Sequence, residues 1–205
     1  MLVLSLCQRL CPDKIPVMPT TKLGDGADGE VFEIKDQPDK VIKFCVLYEH
    51  NNINLEKHYK NISKSLDYLI HNPSDTYAKV YSYQPMGEYS RIAWGNVSQK
   101  YILYYYVMEK LFKISEDERK IFHSIVSHED QRKKKNFSSS KVREMLAGMK
   151  TALDFDEERV IFFYENFRDG PLSHLDVHVR NIMKDSSGKF KLIDFDRLEL
   201  RNGKR

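Results

Sequence analysis

Four polar residues near the C-terminal end of the sequence have the types and the spacing that phosphate chemistry needs. His174, Asp176 and Asn181 fit the pattern H-x-D-x-x-x-x-N, and Asp194 follows after one predicted hairpin, whose turn lies at residues 185–188. This hairpin should bring Asn181 and Asp194 together. Such a set can orient an attacking hydroxyl and hold the metal ions that neutralise phosphate oxygens. The alternative, two polar turns that carry aspartates by chance, leaves the combination unexplained.

Three glycines near the N-terminal end, Gly24, Gly26 and Gly29, form the pattern G-x-G-x-x-G-x-V with Val31. A dinucleotide-binding loop shares this glycine spacing but opens a helix. Here two β-rich runs follow, separated by a turn at residues 36–39, which predicts a hairpin instead. Glycines in such a hairpin let backbone N–H groups approach phosphate oxygens. For this segment alone, a glycine-rich surface turn without a ligand is the alternative.

The elements that must position these residues divide the chain into two parts. Residues 1–18 show little periodicity and are predicted to form an irregular arm. The elements predicted after the glycine pattern are the hairpin, a helix over 51–71, strands over 77–83 and 101–108, a helix that a capping box at Ser115 begins, and helices over 141–153 and 157–167. A strand-rich part with one helix, followed by a helix-rich part, indicates an α+β protein with two lobes.

Together and in this order, the motifs resemble those of the eukaryotic-type protein kinase superfamily, over residues 21–197. The resemblance implies that Lys43, within the strand-like run Val41-Ile42-Lys43-Phe44, holds the α- and β-phosphates of ATP. On a half-buried strand such a lysine is usually just on the solvent face. The resemblance also implies that Glu56, on the following helix, is the carboxylate partner of Lys43. An exposed helix residue is the alternative for Glu56.

The same resemblance implies that ATP and Mg²⁺ are the cofactors, and it assigns roles to the remaining site residues. Gly24, Gly26, Gly29 and Val31 would cover the phosphates, Met108 would be the gatekeeper before the hinge, and the backbone of Glu109 and Leu111 would contact adenine. Asp176 would be the catalytic base, while Asn181 and Asp194 would bind Mg²⁺.

The fold that the resemblance implies is α+β. It is a protein-kinase-like two-lobe fold, with an antiparallel β N-lobe that contains one helix and a reduced helical C-lobe. We expect a single minimal kinase domain over residues 1–205, with the N-lobe at about 19–108 and the C-lobe at about 109–205.

Three departures from the family pattern accompany the resemblance. Leu175 stands where the family has an arginine, so activation by a phosphorylated loop is not expected. Asp196 stands where the family has a glycine, which restricts the backbone of that segment. The sequence ends soon after Asp196, so we expect the activation segment and the later substrate-binding helices to be absent.

The small size and these departures resemble the small kinases that bacteria inject into host cells as effectors, one family of which phosphorylates a host heat-shock chaperone. This implies an ATP-dependent Ser/Thr protein kinase acting on a large folded host protein. It would be cytoplasmic or, as an effector, secreted by a specialised system into the host cytoplasm. One alternative is a small-molecule phosphotransferase of the aminoglycoside-kinase type, because His178 completes the pattern H-x-D-x-H-x-x-N. The other is a nucleotide-binding pseudokinase.

The composition is that of an ordinary globular protein, with 205 residues, of which 41% are apolar and 31% charged. The 33 basic and 30 acidic residues nearly cancel, which favours neither nucleic acid nor a membrane surface as a partner. No apolar run approaches the roughly 20 residues of a membrane span. Cys7, Cys11 and Cys45 form no CxxC pair and indicate free thiols in a reducing compartment. We expect a monomer with a protein substrate.

Overall fold

The computed structural model describes residues 3–26, 28–49, 54–92, 98–128, 138–174 and 177–201. The chain divides into two compact units, one formed by residues 1–73 and 79–110 and the other by residues 74–78 and 111–205. Within the described residues, the first unit holds a five-stranded antiparallel sheet with two α-helices, and the second holds three α-helices with two small sheets. None of these helices is long and apolar enough to cross a membrane. The predicted α+β class is confirmed.

The strands of the first unit are β1 (Pro19–Asp25), β2 (Gly29–Ile34), β3 (Gln37–Tyr48), β4 (Val80–Ile92) and β5 (Ser98–Glu109), and its helices are α1 (Val3–Leu10) and α2 (Leu55–His71). The order across the sheet is β1-β2-β3-β5-β4, and all neighbours are antiparallel. The central strands β3 and β5 carry long runs of buried side chains, as strands covered on both faces do. The β2–β3 turn lies at residues 35–36 rather than 36–39, because Asp36 adopts a left-handed conformation (φ 61°) that Asp tolerates.

The two helices cover opposite faces of this sheet. Side chains of β3 alternate between the faces, and Phe44 lies in one apolar cluster with α1. Lys43 and Cys45 lie on the other face, where Tyr104 of β5 stands opposite Cys45. On that face the ring of Tyr59 from α2 packs against Tyr104, with ring centroids 5.4 Å apart. The sheet is therefore a middle layer, and Lys43 lies on its α2 side.

Helix α1 contradicts the prediction of an irregular arm over residues 1–18. Its buried residues Val3, Leu6 and Cys7 lie at i, i+3 and i+4, a stripe only about two turns long. So short a helix is marginal alone, and packing against the sheet stabilises it. The three cysteines are free, as the sequence predicted, and all three are buried. Burial raises the pKa of Cys7 to about 12, which keeps this thiol protonated at neutral pH.

A buried carboxylate joins α1 to the glycine-rich hairpin. Glu30 on β2 is only 3% exposed. One of its oxygens accepts a hydrogen bond from the N–H of Leu4 (2.8 Å), and the other accepts one from Lys22 Nζ on β1 (2.8 Å). The first turn of α1 has no acidic residue of its own. Glu30 therefore supplies, from a strand, the acceptor and negative charge that a helix N-terminus favours.

Glu30→Ala is expected to lower the free energy of unfolding by about 2 kcal/mol, because the Leu4 N–H loses its acceptor and Lys22 keeps only Asp25. Urea denaturation followed by circular dichroism measures this change. The matched control is Glu33→Ala on the same strand, where the carboxylate is 34% exposed and pairs with Lys110. A small change is expected there. Equal losses in the two variants would contradict the role given to Glu30.

The helices of the second unit are α3 (Glu116–His128), α4 (Ser139–Met149) and α5 (Glu157–Asp169), and its strands are β6 (Phe112–Lys113), β7 (Leu172–His174), β8 (Ile182–Lys184), β9 (Phe190–Leu192) and β10 (Leu198–Leu200). Strand β8 pairs with β6 and β9, and β7 pairs with β10. The predicted capping box is confirmed: the N–H of Glu118 donates to Ser115 Oγ (3.2 Å), and the N–H of Ser115 donates to Glu118 Oε2 (2.8 Å). Helix α4 begins earlier than predicted because Ser138 is its N-cap.

Aromatic packing joins the helices of the second unit to its hairpin. Phe122 of α3 packs edge-to-face against Phe163 of α5 and Phe190 of β9, with ring centroids 5.4 Å and 4.8 Å apart. The segment 74–78 also packs here, through a bridge between Tyr77 and Leu192. The strand predicted over 77–83 is therefore split, and β4 begins only at Val80.

Candidate functional site

The glycine-rich segment is the turn between β1 and β2. Gly24 stands opposite Val31, and the N–H of Gly26 donates to the carbonyl of Gly29 (2.9 Å). The segment thus joins two antiparallel strands and opens no helix, which distinguishes it from a dinucleotide-binding loop. Backbone N–H groups in such a turn can donate hydrogen bonds to phosphate oxygens.

Gly29 and Lys43 contact each other across β2 and β3. A Cβ atom on Gly29 would lie 2.7 Å from the carbonyl oxygen of Phe44 and 2.9 Å from Lys43 Cε, closer than real Cβ atoms approach. Only glycine fits there without movement of its neighbours. Lys43 is 8% exposed, and its ammonium lies 5.7 Å from the centroid of the Tyr106 ring on β5. The structure therefore brings together the third glycine and the lysine that the sequence singled out separately.

Glu56 lies in the first turn of α2, where the helix is capped by Asn54, which accepts a hydrogen bond from the N–H of Lys57 (2.8 Å). The Glu56 side chain is exposed and forms no ion pair with any other described residue. The predicted pair of Glu56 with Lys43 is therefore not formed, and an exposed helix residue describes Glu56. A carboxylate at this position is favourable because a helix N-terminus carries partial positive charge.

The expected gatekeeper and the two residues expected to contact adenine lie at the end of β5 and just beyond it. Met108 is 4% exposed within the sheet. The N–H of Glu109 donates to the carbonyl of Lys79 (2.9 Å), and its carboxylate accepts from the N–H of Lys79 (2.7 Å). Leu111 is half-buried and belongs to the second unit. The double contact with Lys79 fixes the end of β5, and no sequence pattern signals it because the two residues lie 30 positions apart.

In the second unit, the β8–β9 hairpin holds Asn181 and Asp194 at its open end. Ile182 stands opposite Leu192, and the N–H of Ile193 donates to the carbonyl of Asn181 (2.9 Å). Asn181 is 5% exposed, and Asp194 is half-buried. The strand–turn–strand pattern therefore places these two residues side by side along the backbone, as expected.

His174 of the H-x-D segment forms a hydrogen bond with the end of the β8–β9 hairpin. Its ring is 5% exposed, and its Nε2 lies 3.0 Å from the carbonyl oxygen of Ile193. A carbonyl can only accept a hydrogen bond, so Nε2 carries the proton. Leu175 and Asp176 lie outside the described residues. His174, two positions before the predicted base in the sequence, is anchored beside the residue that precedes Asp194.

Asp194 has a backbone conformation that few residues other than glycine adopt. Its φ of 69° and ψ of 77° lie in the left-handed region, which Asp tolerates better than most residues. Strain of this kind, about 1–3 kcal/mol, clusters at functional sites where the surroundings hold it. Here the next residue, Phe195, is completely buried and begins a 3₁₀ helix over Phe195–Arg197. Asp196, which replaces the glycine of the family pattern, is 8% exposed within that helix.

Asn181 and Asp194 offer the donor types that Mg²⁺ prefers, an amide oxygen and a carboxylate. In phosphoryl-transfer sites Mg²⁺ takes one or two protein ligands and completes its shell with water and substrate phosphates. Among the described residues, no group of three His, Cys, Asp or Glu could hold a metal by itself. The residues present therefore fit a metal ion that binds together with a phosphate-bearing ligand.

The support for this hairpin comes from the segment 74–78. Lys191 Nζ donates to the carbonyl of Ser74 (2.7 Å), and Lys189 Nζ donates to Asp75 Oδ1 (2.8 Å). The hydrogen bond from Lys189 lowers the pKa of Asp75. Burial alone would raise the pKa of Asp185 in the turn, but hydrogen bonds from residues 187 and 189 bring it below its ordinary value. The hydrogen bond with Asp75 also raises the pKa of Lys189, so Lys189 and Asp75 both stay charged at neutral pH and hold the hairpin against the segment 74–78.

The chain has similar solved structures, but neither the known protein-family models nor the curated proteins contain a match to it. Among solved structures it is similar to the ROP18 kinase domain in complex with AMP-PNP and sucrose, with 13% identity, a TM-score of 0.49, and coverage of 91% of this chain and 53% of that chain. It is also similar to WbdD, with 17% identity, a TM-score of 0.42, and coverage of 89% and 33%. A WbdD complex with a kinase inhibitor gives 14% identity, a TM-score of 0.39, and coverage of 91% and 34%. The chain spans about half the length of the first and one third of the others.

Proposed function

We propose that this protein is an ATP-dependent phosphotransferase of the protein-kinase type, which transfers the γ-phosphoryl group to a Ser or Thr hydroxyl of a protein. The observation that carries the proposal is the backbone hydrogen bond between Ile193 and Asn181, which sets Asn181 beside Asp194 in the chain. The backbone of Asp194 itself is held in the left-handed region. The contact between Gly29 and Lys43 supports it from the first unit.

The first unit would bind the nucleotide. Lys43 would neutralise the α- and β-phosphates, because it is a buried cation next to a glycine-rich turn that can approach them. The residues assigned to the phosphates are Gly24, Gly26, Gly29 and Val31. Met108 would be the gatekeeper, and the backbone of Glu109 and Leu111 would contact adenine.

The second unit would supply the metal ligands and the base. Asn181 and Asp194 would hold Mg²⁺, which neutralises the developing charge on the phosphate oxygens. Asp176 would take the proton of the accepting hydroxyl as the hydroxyl oxygen bonds to the γ-phosphorus. The bond from the γ-phosphorus to the bridging oxygen breaks at the same time, and ADP leaves with that electron pair.

We also propose a protein substrate that is a large folded host protein, such as a heat-shock chaperone. This rests on the resemblance of the motifs to those of small secreted effector kinases. On the same basis the protein would act as a monomer, in the host cytoplasm after secretion by a specialised system. The near balance of 33 basic and 30 acidic residues favours a protein over nucleic acid as the partner.

The proposed function is tested by transfer of radiolabelled phosphate from γ-labelled ATP with Mg²⁺ into a eukaryotic cell lysate. The wild type is compared with Asp194→Asn, which keeps the size of the side chain and removes its charge. We expect a discrete labelled protein band that is absent with the variant, because an amide is a poor substitute for a carboxylate ligand of Mg²⁺.

Three other outcomes would each redirect the assignment. Label on a small molecule rather than a protein would favour a phosphotransferase of the aminoglycoside-kinase type. Nucleotide binding without any transfer would favour a pseudokinase. A labelled band of equal intensity with Asp194→Asn would remove Asp194 from the metal site.

A further inference from the structure

A cavity in the second unit opens beside the segment that carries the proposed catalytic residues. It has a volume of about 450 Å³, and its walls are His123 and Val126 of α3 with His178, Val179 and Arg180. The last three residues directly precede Asn181, and Val179 and Arg180 share the 3₁₀ helix Val179–Asn181 with it. The volume lies in the range of small-ligand pockets.

The hydrogen bond at the start of this 3₁₀ helix determines the tautomer of His178. The backbone N–H of Arg180 donates to His178 Nδ1 (3.2 Å), so Nδ1 presents its lone pair. The proton of the neutral ring therefore lies on Nε2. His178 caps the 3₁₀ helix through one nitrogen and offers a hydrogen-bond donor through the other.

The polar groups in the cavity walls are donors that lack acceptors within the described part of the chain. His178 Nε2, the ring of His123 and the guanidinium of Arg180 make no hydrogen bond or ion pair with any described residue. Other arginines of this unit differ: Arg143 pairs with Glu158, for example. Arg197 also has no partner among the described residues, but it does not line this cavity.

The chemistry of these walls matches an anionic side chain. A guanidinium presents a planar fork of N–H donors that suits a carboxylate or a phosphate, and two imidazoles add further donors. Val126 and Val179 offer an apolar surface for the carbon stem of such a side chain. Arg180 directly precedes the proposed metal ligand Asn181 in the same 3₁₀ helix, so the cavity adjoins the segment that carries this ligand.

We propose that this cavity binds an acidic or phosphorylated side chain of the protein substrate, close to the accepting hydroxyl. The protein would then select sequences that already carry negative charge. The identification of the occupant as part of a substrate rests on the proposed function, whereas the anion site itself rests on the cavity and its donors.

The experiment follows the ring signals of His123 and His178 by NMR, assigned through His123→Gln and His178→Gln. The probes are N-acetyl-phosphoserine amide and N-acetyl-aspartate amide, with N-acetyl-serine amide as the neutral control. Each titration is run twice, once without nucleotide and once with saturating Mg²⁺ and AMP-PNP. We expect both signals to shift saturably with an anionic probe and not with the neutral one. Binding of the phosphorylated probe alone would identify a phosphate site, and binding of both a general anion site.

Arg180→Gln is expected to weaken binding of the anionic probe about tenfold or more, because the fork that pairs with the anion is lost. The matched control is Arg143→Gln, which removes an exposed arginine that pairs with Glu158 away from the cavity, and should leave binding unchanged. His178→Asn keeps an acceptor for the N–H of Arg180 and removes Nε2. It should therefore weaken binding while the thermal midpoint of unfolding stays near that of the wild type.

Three results would overturn the proposal: no saturable shift with either anionic probe, equal affinity in Arg180→Gln, or abolition of probe binding by AMP-PNP, which would assign the cavity to the nucleotide. The titration requires no turnover. Failure of phosphoryl transfer would therefore remove the proposed function without removing the anion site. Conversely, phosphoryl transfer without probe binding would remove the anion site and leave the proposed function.

Discussion

Asp176→Asn is expected to lower phosphoryl transfer by about 10²–10⁴-fold, the usual contribution of a positioned general base. The amide has nearly the same shape but cannot take the proton of the accepting hydroxyl. Nucleotide binding should persist, because the roles assigned to Lys43, Asn181 and Asp194 do not involve Asp176. Transfer is measured with γ-labelled ATP, and nucleotide binding separately by titration with AMP-PNP and Mg²⁺.

The contrast with Asp194→Asn makes this prediction specific. Asp194 is assigned to the metal, so its variant should lose Mg²⁺-dependent nucleotide binding as well as transfer. The two variants therefore differ in the binding experiment and agree in the transfer experiment. Normal transfer by Asp176→Asn would mean that another group takes the proton, and loss of nucleotide binding in that variant would mean that Asp176 helps to hold the metal.

The parts of the site that depend on local pattern could be predicted from the sequence. A hairpin places its two ends together whatever surrounds it, so Asn181 and Asp194 were found from the turn residues between them. The capping box at Ser115 is local in the same sense, because its two hydrogen bonds join residues three apart. The turn residues after the glycine pattern likewise indicated the hairpin of β2 and β3, but strand β1 before the pattern was not predicted, because most of its side chains are exposed.

The parts that depend on distant contacts could not be predicted. Helix α1 is too short to show a convincing periodicity, and the residue that caps it, Glu30, lies 26 positions away. Tyr77 was predicted to begin the strand over 77–83, yet its backbone pairs with Leu192 of the second unit. The helical position of Glu56 gave no information on which way its side chain turns, and the structure leaves it exposed. Each error has the same origin, because tertiary contacts decided what local pattern left open.

Gly29→Ala is expected to weaken nucleotide binding by at least about tenfold and to lower the free energy of unfolding by about 1–3 kcal/mol, the usual effect of overpacking. Its Cβ would lie 2.7 Å from the carbonyl oxygen of Phe44, a backbone atom that can move only if β2 and β3 separate. It would also lie 2.9 Å from Lys43 Cε and would displace the ammonium assigned to the phosphates. AMP-PNP titration and thermal unfolding measure the two effects.

Two other glycines separate the steric effect from the general effect of a lost glycine. Gly148→Ala, on an exposed face of α4, meets no atom within 4 Å and should leave nucleotide binding unchanged while favouring the helix. Gly24→Ala also meets no atom within 4 Å, although it lies in the same hairpin, and it should keep the stability of the wild type. If the thermal stability and the AMP-PNP affinity of Gly29→Ala equal those of the wild type, the close approach of β2 to Lys43 does not position the lysine. If only Gly29→Ala loses both properties, backbone clearance at this one position places the cation that the nucleotide requires.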